Sequence, residues 1–207
     1  MAYSQGKEEE VILKYFSGRK GVFLDCGAND GITLSNTHAL ALNGWWGICV
    51  EPSKEAFEKM RELYKDRPLI ELFNVAVTNE PGKFKMWHSG SHLGTGDVSL
   101  LSTLEKDELK RWKGSKEIFE EVIVDGMTVA QILSQSPFKS VQMVSIDCEG
   151  KDLDVLNQLN ISELGVELFV IEHNGSDYVR EAAFQKGVEA GLKNILLINA
   201  ENIIIAK

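Results

Sequence analysis

The chain has 207 residues, with 43% hydrophobic and 26% charged side chains, and its formal net charge is −9. The length suffices for one α/β domain with a substantial core, and the negative charge argues against a nucleic-acid backbone or an anionic membrane surface as partner. The sequence has no long apolar run, no secretory signal and no CxxC pair among its three cysteines. We therefore expect a single domain over residues 1–207, whole or excised from a longer protein, in the reducing cytoplasm and without a membrane span.

The first predicted strand runs into a loop that contains two glycines. Residues 22–25 predict a buried strand, and the chain continues as Asp-Cys-Gly-Ala-Asn-Asp-Gly from Asp25 to Gly31. Glycine tolerates positive φ and lets a ligand approach the backbone closely. The spacing of the acid and the glycines Gly27 and Gly31 resembles the nucleotide loop of S-adenosylmethionine-dependent methyltransferases, whereas a dinucleotide fingerprint needs a glycine where Asn29 stands. The alternative is a strand-turn-helix in which the glycines serve geometry alone.

The second predicted strand, at 46–51, ends in an acid. In nucleotide-binding α/β folds this position hydrogen-bonds the ribose hydroxyls, and Glu51 follows Gly27 at about the 20-residue spacing that such sites use. Pro52 and Ser53 then open a helix, and a third strand is predicted at 69–77. An acid that is simply solvated at a strand end remains the alternative for Glu51.

An inserted segment at 82–133 interrupts the alternation of strands and helices. Its predicted elements are a strand at 83–88, a glycine-rich polar loop at 89–97, a helix at 99–113, a strand at 117–124 and a short helix at 127–133. The loop either covers a substrate, with His88 and His92 lining it, or is a plain surface connection. The sequence leaves both interpretations open.

Two further strands, at 141–147 and 168–172, precede a C-terminal hairpin. The alternation predicts a Rossmann-like α/β fold with a mostly parallel seven-stranded sheet, to which the hairpin adds an antiparallel strand. Ligands in such sheets bind beyond the carboxyl ends of the strands. The polar residues predicted at that edge are Asp25, Asp30, Glu51, Asp147, Glu149, Glu172, His173 and Asn174.

Four segments together resemble the FkbM-type methyltransferase family. They are Leu24-Asp25-Cys26-Gly27-Ala28-Asn29-Asp30-Gly31, Val50-Glu51-Pro52, Asn74-Val75-Ala76-Val77 and Ile146-Asp147-Cys148-Glu149-Gly150. The resemblance covers about residues 21–175 and implies a class I methyltransferase fold. It also implies an S-adenosylmethionine-dependent O-methyltransferase that acts on a hydroxyl of a sugar, a glycan or a related natural product. The segment 82–133 is the family's variable part, so the identity of the acceptor does not carry over, and the oligomeric state is not given.

The resemblance further implies a cofactor site at the first three strands. Asp25 is expected to hold the ammonium of S-adenosylmethionine, Asn29 to brace the loop, and Glu51 to accept both ribose hydroxyls. The glycine loop is expected to approach the methionine part, and the third strand to flank the adenine. The expected cofactor-binding residues are Asp25, Gly27, Ala28, Asn29, Gly31, Glu51, Asn74 and Ala76.

An alcohol acceptor needs a base to take its proton as the new bond forms. The candidates are Asp147, Glu149 and His173, and the sequence does not rank them. His173 has the most suitable ordinary pKa but is equally a structural histidine, and Glu149 is alternatively a helix cap. A metal-assisted variant also stays open, because Asp147, Glu172 and Asn174 stand where catechol O-methyltransferase-like enzymes place magnesium ligands.

Two other classes of function remain open on the sequence. A nicotinamide-dependent oxidoreductase would also use Glu51 on a ribose, although the Gly-x-Gly-x-x-Gly fingerprint is missing. A non-catalytic module would keep the fold and bind the cofactor without transferring a methyl group. The intact set of Asp25, Gly27, Gly31 and Glu51 argues against the second alternative.

Overall fold

The computed structural model describes residues 2–90, 99–111 and 119–207. The described strands are β1 (Val22–Cys26), β2 (Trp46–Val50), β3 (Ile70–Phe73), β4 (Ala76–Val77), β5 (Gly82–His88), β6 (Glu120–Met127), β7 (Met143–Ile146), β8 (Leu168–Glu172), β9 (Asn194–Ile198) and β10 (Asn202–Ala206). The described α-helices are α1 (Glu8–Phe16), α2 (His38–Leu42), α3 (Lys54–Tyr64), α4 (Val129–Gln135), α5 (Asp152–Gln158), α6 (Ile161–Leu164) and α7 (Asp177–Glu189). None of these helices combines the length and the apolar character needed to cross a bilayer.

The larger sheet has seven strands in the order β3-β2-β1-β7-β8-β10-β9. Its pairs are parallel except those of β10, which runs antiparallel to both β8 and β9. Successive side chains of β1 point to opposite faces, so Leu24 belongs to the core on one side of the sheet and Phe23 to the core on the other. The predicted fold, including the C-terminal antiparallel hairpin, is confirmed.

The predicted third strand at 69–77 is wrong as one continuous element. The structure divides it into β3, which pairs with β2, and β4, which pairs with β6 in a second sheet. The division falls at Asn74, whose side-chain amide donates to the carbonyl oxygens of Glu51 at 2.8 Å and Pro52 at 3.2 Å. These bonds hold the end of β3 against the end of β2 and direct the chain out of the large sheet.

The inserted segment forms a small sheet in the order β4-β6-β5. The predicted strand at 83–88 is confirmed as β5, the predicted strand at 117–124 appears in the described residues as β6, and the predicted short helix appears as α4. Thr128 and Gln131 close a capping box at the start of α4. The helix begins at Val129 rather than at the predicted residue 127, because the cap, and not the first apolar residue, fixes where a helix begins.

The predicted helix at 99–113 is wrong over its described residues, 99–111. These contain a 3₁₀ turn at Lys106–Lys110 and no α-helix. Thr103 instead pairs with Trp87 of β5 through backbone bonds of 2.9 and 3.1 Å. This single bridge holds the segment beside the small sheet. Most of the predicted loop at 89–97, including His92, lies outside the described residues.

Candidate active site

A cavity of about 280 Å³ lies at the carboxyl edge of the large sheet. The strand order places the ends of β2, β1, β7 and β8 side by side. The acids at these ends therefore follow one another along the cavity, in the order Glu51, Asp25, Asp147 and Glu172. Residues of the inserted segment line the cavity from another direction. The edge that the sequence indicated is thus a real concave site.

The loop after β1 requires glycine at its first position. Gly27 has a φ of +88°, and a Cβ atom there would lie 1.7 Å from the backbone oxygen of Asp147. The amides of Gly27 and Ala28 both donate to the carbonyl oxygen of Val50, at 3.0 and 3.1 Å. The loop is therefore fixed between the ends of β2 and β7. Gly27, Ala28 and Asn29 all line the cavity, as predicted for a cofactor loop.

Gly31 was predicted to belong to the cofactor-binding residues, but it lies outside the cavity lining. It also has a positive φ, +80°, but it does not line the cavity. A Cβ atom on Gly31 would lie 2.9 Å from Cε2 of Tyr64, whose hydroxyl donates to the Gly31 carbonyl. Gly31 thus lets the loop pack against α3. In the structure its contacts are those of a packing residue behind the site.

Asp25 is a buried carboxylate whose orientation is fixed by a neighbouring hydroxyl. Its Oδ2 accepts a hydrogen bond from Thr37 Oγ1 at 2.6 Å. Burial raises the pKa of Asp25 to about 6, and hydrogen bonds from Thr37 and Ser145 oppose this rise. The side chain still lines the cavity, so it can accept a bond from a ligand ammonium.

Glu51 is held by two backbone amides. Its Oε2 accepts from the Asn29 N–H at 2.9 Å, and its Oε1 accepts from the Ser53 N–H at 2.7 Å. Burial raises the pKa of Glu51 to about 7, although these amide bonds lower it. Each carboxylate oxygen has capacity for a further donor, so a vicinal diol such as a ribose can bind here. Asn74 does not line the cavity; it supports this site through its bond to the Glu51 carbonyl, whereas Ala76 lines it directly.

The other end of the cavity is lined by acids from β7 and β8. The pKa of Asp147 is raised to about 7, first by desolvation in the cavity wall and then by the charges of Asp152 and Asp25. The pKa of Glu172 is raised to about 11, first by burial and then by the charge of Asp147. Burial and Asp147 also hold the pKa of Glu149 well above its ordinary value. These carboxyl groups cannot all be ionised together, so the pocket holds protons at neutral pH.

Three carboxyl groups form an arrangement that fits a divalent cation. One oxygen each from Asp147, Asp152 and Glu172 lie within 4.8 Å of one another. Two of these residues already serve protein groups, since Asp152 accepts from the amides of Cys148 and Gly150 and Glu172 accepts from the Asn174 side chain. Oxygen ligands of this kind suit Mg²⁺. Asp147 and Glu172 of the predicted metal set thus lie together, while Asp152 was not foreseen.

His173 does not line the cavity. Its ring is buried, and its Nδ1 accepts a hydrogen bond from the Gly175 amide at 2.9 Å. Burial lowers the pKa of His173, and the nearby Arg180 lowers it further. Of the three candidate bases, the structure therefore brings Asp147 and Glu149 to the cavity and leaves His173 in the turn after β8.

Several cavity residues were missed by sequence reasoning. Arg111 lies in the inserted segment, donates to Glu108 at 2.6 Å and lies 3.8 Å from Glu149. A variable segment gives no pattern from which such a residue can be found. Glu201 is different, because β9 runs in the same direction as β8 and its following turn must reach the carboxyl edge. The predicted C-terminal hairpin therefore already implied that its turn, which contains Glu201, lies at this edge.

Fold and site together define a class I methyltransferase, in which a glycine-containing loop after β1 and a buried acid after β2 line the cavity. The sequence matches the methyltransferase FkbM domain over residues 25–189. The chain therefore belongs to the FkbM methyltransferase family, whose members use S-adenosylmethionine as methyl donor. No match was found among curated proteins.

Solved structures with the same fold are distant in sequence. The METTL16 MTase domain superimposes with a TM-score of 0.51 at 10% identity, covering 96% of this chain and 64% of that chain. Monomeric WbdD gives a TM-score of 0.50 at 9% identity, covering 99% of this chain and 42% of that one. A putative RNA methyltransferase, PH1948 from Pyrococcus horikoshii, gives 0.48 at 16% identity, covering 97% and 83%. The chain thus spans less than two thirds of the first two structures, and the likeness extends to the fold alone.

Proposed function

We propose that the protein is an O-methyltransferase whose acceptor is a hydroxyl of a sugar, a glycan or a related natural product. The observation that carries this proposal is the position of Asp147. The backbone oxygen of Asp147 packs against Gly27 of the cofactor loop. Asp147 is also exposed, and it lines the wall of the same cavity. A carboxylate beside the methyl donor is the group that an alcohol acceptor needs.

In this reaction the residues of the chain bind and orient the cofactor, and one of them takes a proton from the acceptor. Bound S-adenosylmethionine supplies an activated methyl group on a sulfonium, so no further activation is required from the protein. Glu51 accepts the two ribose hydroxyls, and Asp25 accepts a bond from the ammonium. Asp147 takes the proton of the acceptor hydroxyl as the oxygen–carbon bond forms. The products are the methyl ether, S-adenosylhomocysteine and a proton.

Asp147 is a better base than Glu149 for two reasons. First, a pKa of about 7 leaves Asp147 partly ionised at neutral pH, whereas the pKa of Glu149 is held well above its ordinary value by burial and by Asp147 itself. Second, Asp147 is exposed, whereas the Glu149 side chain is only 12% exposed. A base must be both ionised and within reach of the acceptor.

A divalent cation is a second possibility at this end of the cavity. The carboxylates of Asp147, Asp152 and Glu172 would hold it, and the cation would bind and polarise an acceptor oxygen. The mutual proximity of the three carboxyl oxygens favours this variant. A loss of methyl transfer on chelation, restored by Mg²⁺, would support it.

The charge of the chain supports a neutral acceptor. The acids in the cavity lining, among them Asp147, Glu149, Glu172 and Glu201, outnumber the cations Arg111 and Lys151, although Glu149 and Glu172 hold their protons at neutral pH. The whole chain also carries a formal net charge of −9. A phosphorylated or nucleic-acid acceptor would be repelled by such a surface. An uncharged sugar or polyol hydroxyl would not.

The test is methyl transfer from ¹³C-methyl-labelled S-adenosylmethionine to a panel of neutral sugars, polyols and glycans, read by NMR. We expect a labelled O-methyl signal that is lost in Glu51→Ala, because the cofactor loses its ribose partner. Glu55→Ala, at an exposed acid in the first turn of α3, should keep the activity. Labelling of only a nitrogen, or of only an RNA included in the panel, would contradict the proposal.

A further inference from the structure

Three polar side chains meet where the inserted segment touches the cofactor half of the cavity. Nε2 of His88, the last residue of β5, lies 3.1 Å from Ser53 Oγ and 2.5 Å from Ser99 Oγ. The two serine hydroxyls are themselves 2.5 Å apart. Ser53 is 1% exposed and Ser99 is 5% exposed, so both serines are buried, while His88 is partly buried. His88 thus joins two parts of the chain that are distant in sequence.

Ser53 connects this cluster to the ribose-binding acid. Its backbone N–H donates to Glu51 Oε1 at 2.7 Å, and its hydroxyl accepts from the Ala56 amide at the start of α3. Any shift of Ser53 therefore moves a hydrogen-bond partner of Glu51. A single residue caps the helix, orients the carboxylate and contacts His88.

Ser99 connects the same cluster to the cavity wall. Ser99, Leu100, Leu101 and Ser102 all line the cavity. Ser99 has a φ of +60°, a conformation that residues other than glycine seldom adopt. Such a backbone persists only when its surroundings fix it, and the bonds to His88 and Ser53 supply that restraint.

We propose that His88 is a positioning residue for cofactor binding. It fastens the inserted segment to the turn after β2, so that Glu51 and the wall formed by Ser99 to Ser102 keep one arrangement around the cofactor. His88 itself does not line the cavity and needs no contact with the ligand. This inference rests on the proposed function, because it takes the cavity to be an S-adenosylmethionine site.

The test is calorimetric titration with S-adenosylhomocysteine, beside thermal unfolding of each apo-protein. We expect His88→Ala to weaken binding roughly tenfold, as the loss of one or two hydrogen bonds predicts. His88→Gln should retain most of the affinity, because its side-chain amide can still bond a serine hydroxyl. Lys85→Ala is the matched control on the same strand, since Lys85 is exposed and pairs with Glu121 outside the cavity.

A double-mutant cycle separates positioning from general destabilisation. If His88 acts through Ser99, the two effects are not additive. The His88→Ala/Ser99→Ala double variant should then bind S-adenosylhomocysteine as well as the single variant that has the lower affinity. Unchanged affinity in His88→Ala, whatever its melting temperature, would overturn the inference alone. Equal loss in His88→Gln and His88→Ala would also overturn it. Absence of binding by the wild-type protein would instead overturn the proposed function, and this inference with it.

Discussion

Asp147 differs from the acids around it in both exposure and proton affinity. Asp152 is buried and accepts two backbone amides, while Glu172 is buried and bonded to Asn174. Asp147 is exposed, and its pKa is raised to about 7 rather than far beyond neutrality. Glu172 thus keeps its proton at neutral pH, and the oxygens of Asp152 are engaged by backbone amides, so Asp147 is the carboxylate of this group that an acceptor can reach. The environment, and not the residue type, sets these differences, and the proposed role of Asp147 as base rests on them.

The first prediction follows from this pKa. With Asp147 as base, kcat/KM should rise with pH and reach half of its maximum near pH 7, because only the ionised carboxylate takes a proton. Asp147→Asn should lower the rate about 10²–10⁴-fold and remove this rise. The measurement is a series of initial rates between about pH 5.5 and about pH 9, with the acceptor found in the labelling panel.

The affinity for S-adenosylhomocysteine provides the control for this variant. It should stay within about twofold of wild type in Asp147→Asn, since the base contacts the acceptor and not the ribose. Asp125→Asn, at an exposed acid of β6 that pairs with Lys83, should show the wild-type pH profile. If kcat/KM of Asp147→Asn still rose with pH, the base would be another group.

The places of Asp25 and Glu51 in the cavity lining could be foreseen, because they follow from topology. An acid at the end of a buried parallel strand has to point into the edge where ligands bind, and Asp25 and Glu51 obey this rule. His173 was proposed on its ordinary pKa, which carries no information about ring orientation. The Gly175 amide turns that ring away from the cavity lining. Such local bonds depend on the tertiary path of the loop.

At the level of elements, the parallel strands were the most predictable part of the chain. Strands buried on both faces are continuous apolar runs, and β1, β7 and β8 are buried along their whole length. The same signal failed at 69–77, because a mostly apolar run does not show that its two halves belong to different sheets. The bonds from Asn74 to the end of β2 decide that division.

The N-terminal helix α1 packs on the sheet through Ile12 and Phe16, and its buried carboxylate Glu8 adds hydrogen bonds to the C-terminal hairpin. Glu8 is 0% exposed and accepts from the Gly6 amide at 2.7 Å and from the side chains of Asn199 and Asn202 at 2.6 and 3.2 Å. These contacts hold the first residues against the β9–β10 turn. Gln5, which lines the cavity, is thereby fixed beside the acceptor end.

We predict that Glu8→Ala lowers the free energy of unfolding by about 1–3 kcal/mol, because three donors, of which that of Asn202 is buried, lose their acceptor. Glu8→Gln should cost less, since its carbonyl oxygen still accepts. Urea denaturation of the apo-protein measures both. The control Glu10→Ala, at an exposed acid of the same helix, should change stability by no more than ~0.5 kcal/mol. Equal effects at the two positions would show that Glu8 is not the anchor.

For the molecule as a whole, the site concentrates ionisable groups that folding disfavours in their charged form. Burial raises the pKa of Asp25 and Asp152 to about 6, of Glu51 to about 7 and of Glu172 to about 11. The folded protein therefore binds protons that the unfolded chain releases near pH 4. The buried acids at this edge therefore lower the stability of the folded protein at neutral pH, as groups in functional sites often do.

The sign of the resulting pH dependence is fixed by linkage. A carboxyl group whose pKa is raised by folding stabilises the native state fully below its ordinary pKa, and this contribution is lost as the pH rises toward the folded value. We predict that the apo-protein, in the presence of a chelator, melts a few degrees higher at about pH 5.5 than at about pH 8. A change of ~1 kcal/mol shifts the melting temperature by ~2–4 °C in a chain of this length. The smaller net charge at the lower pH acts in the same direction.

Glu172→Gln isolates the contribution of one group to this trend. With its pKa raised to about 11, Glu172 stays protonated in the folded protein across the whole range, while the unfolded chain ionises it. Glutamine keeps the acceptor for Asn174 and has no proton to lose, so the variant should be more stable than wild type at about pH 8 and show a shallower pH dependence. Glu55→Gln, at an exposed acid, should leave the slope unchanged. A Glu172→Gln slope equal to that of wild type would mean that Glu172 is ionised in the folded state, as it would be beside a bound cation or a strong positive charge.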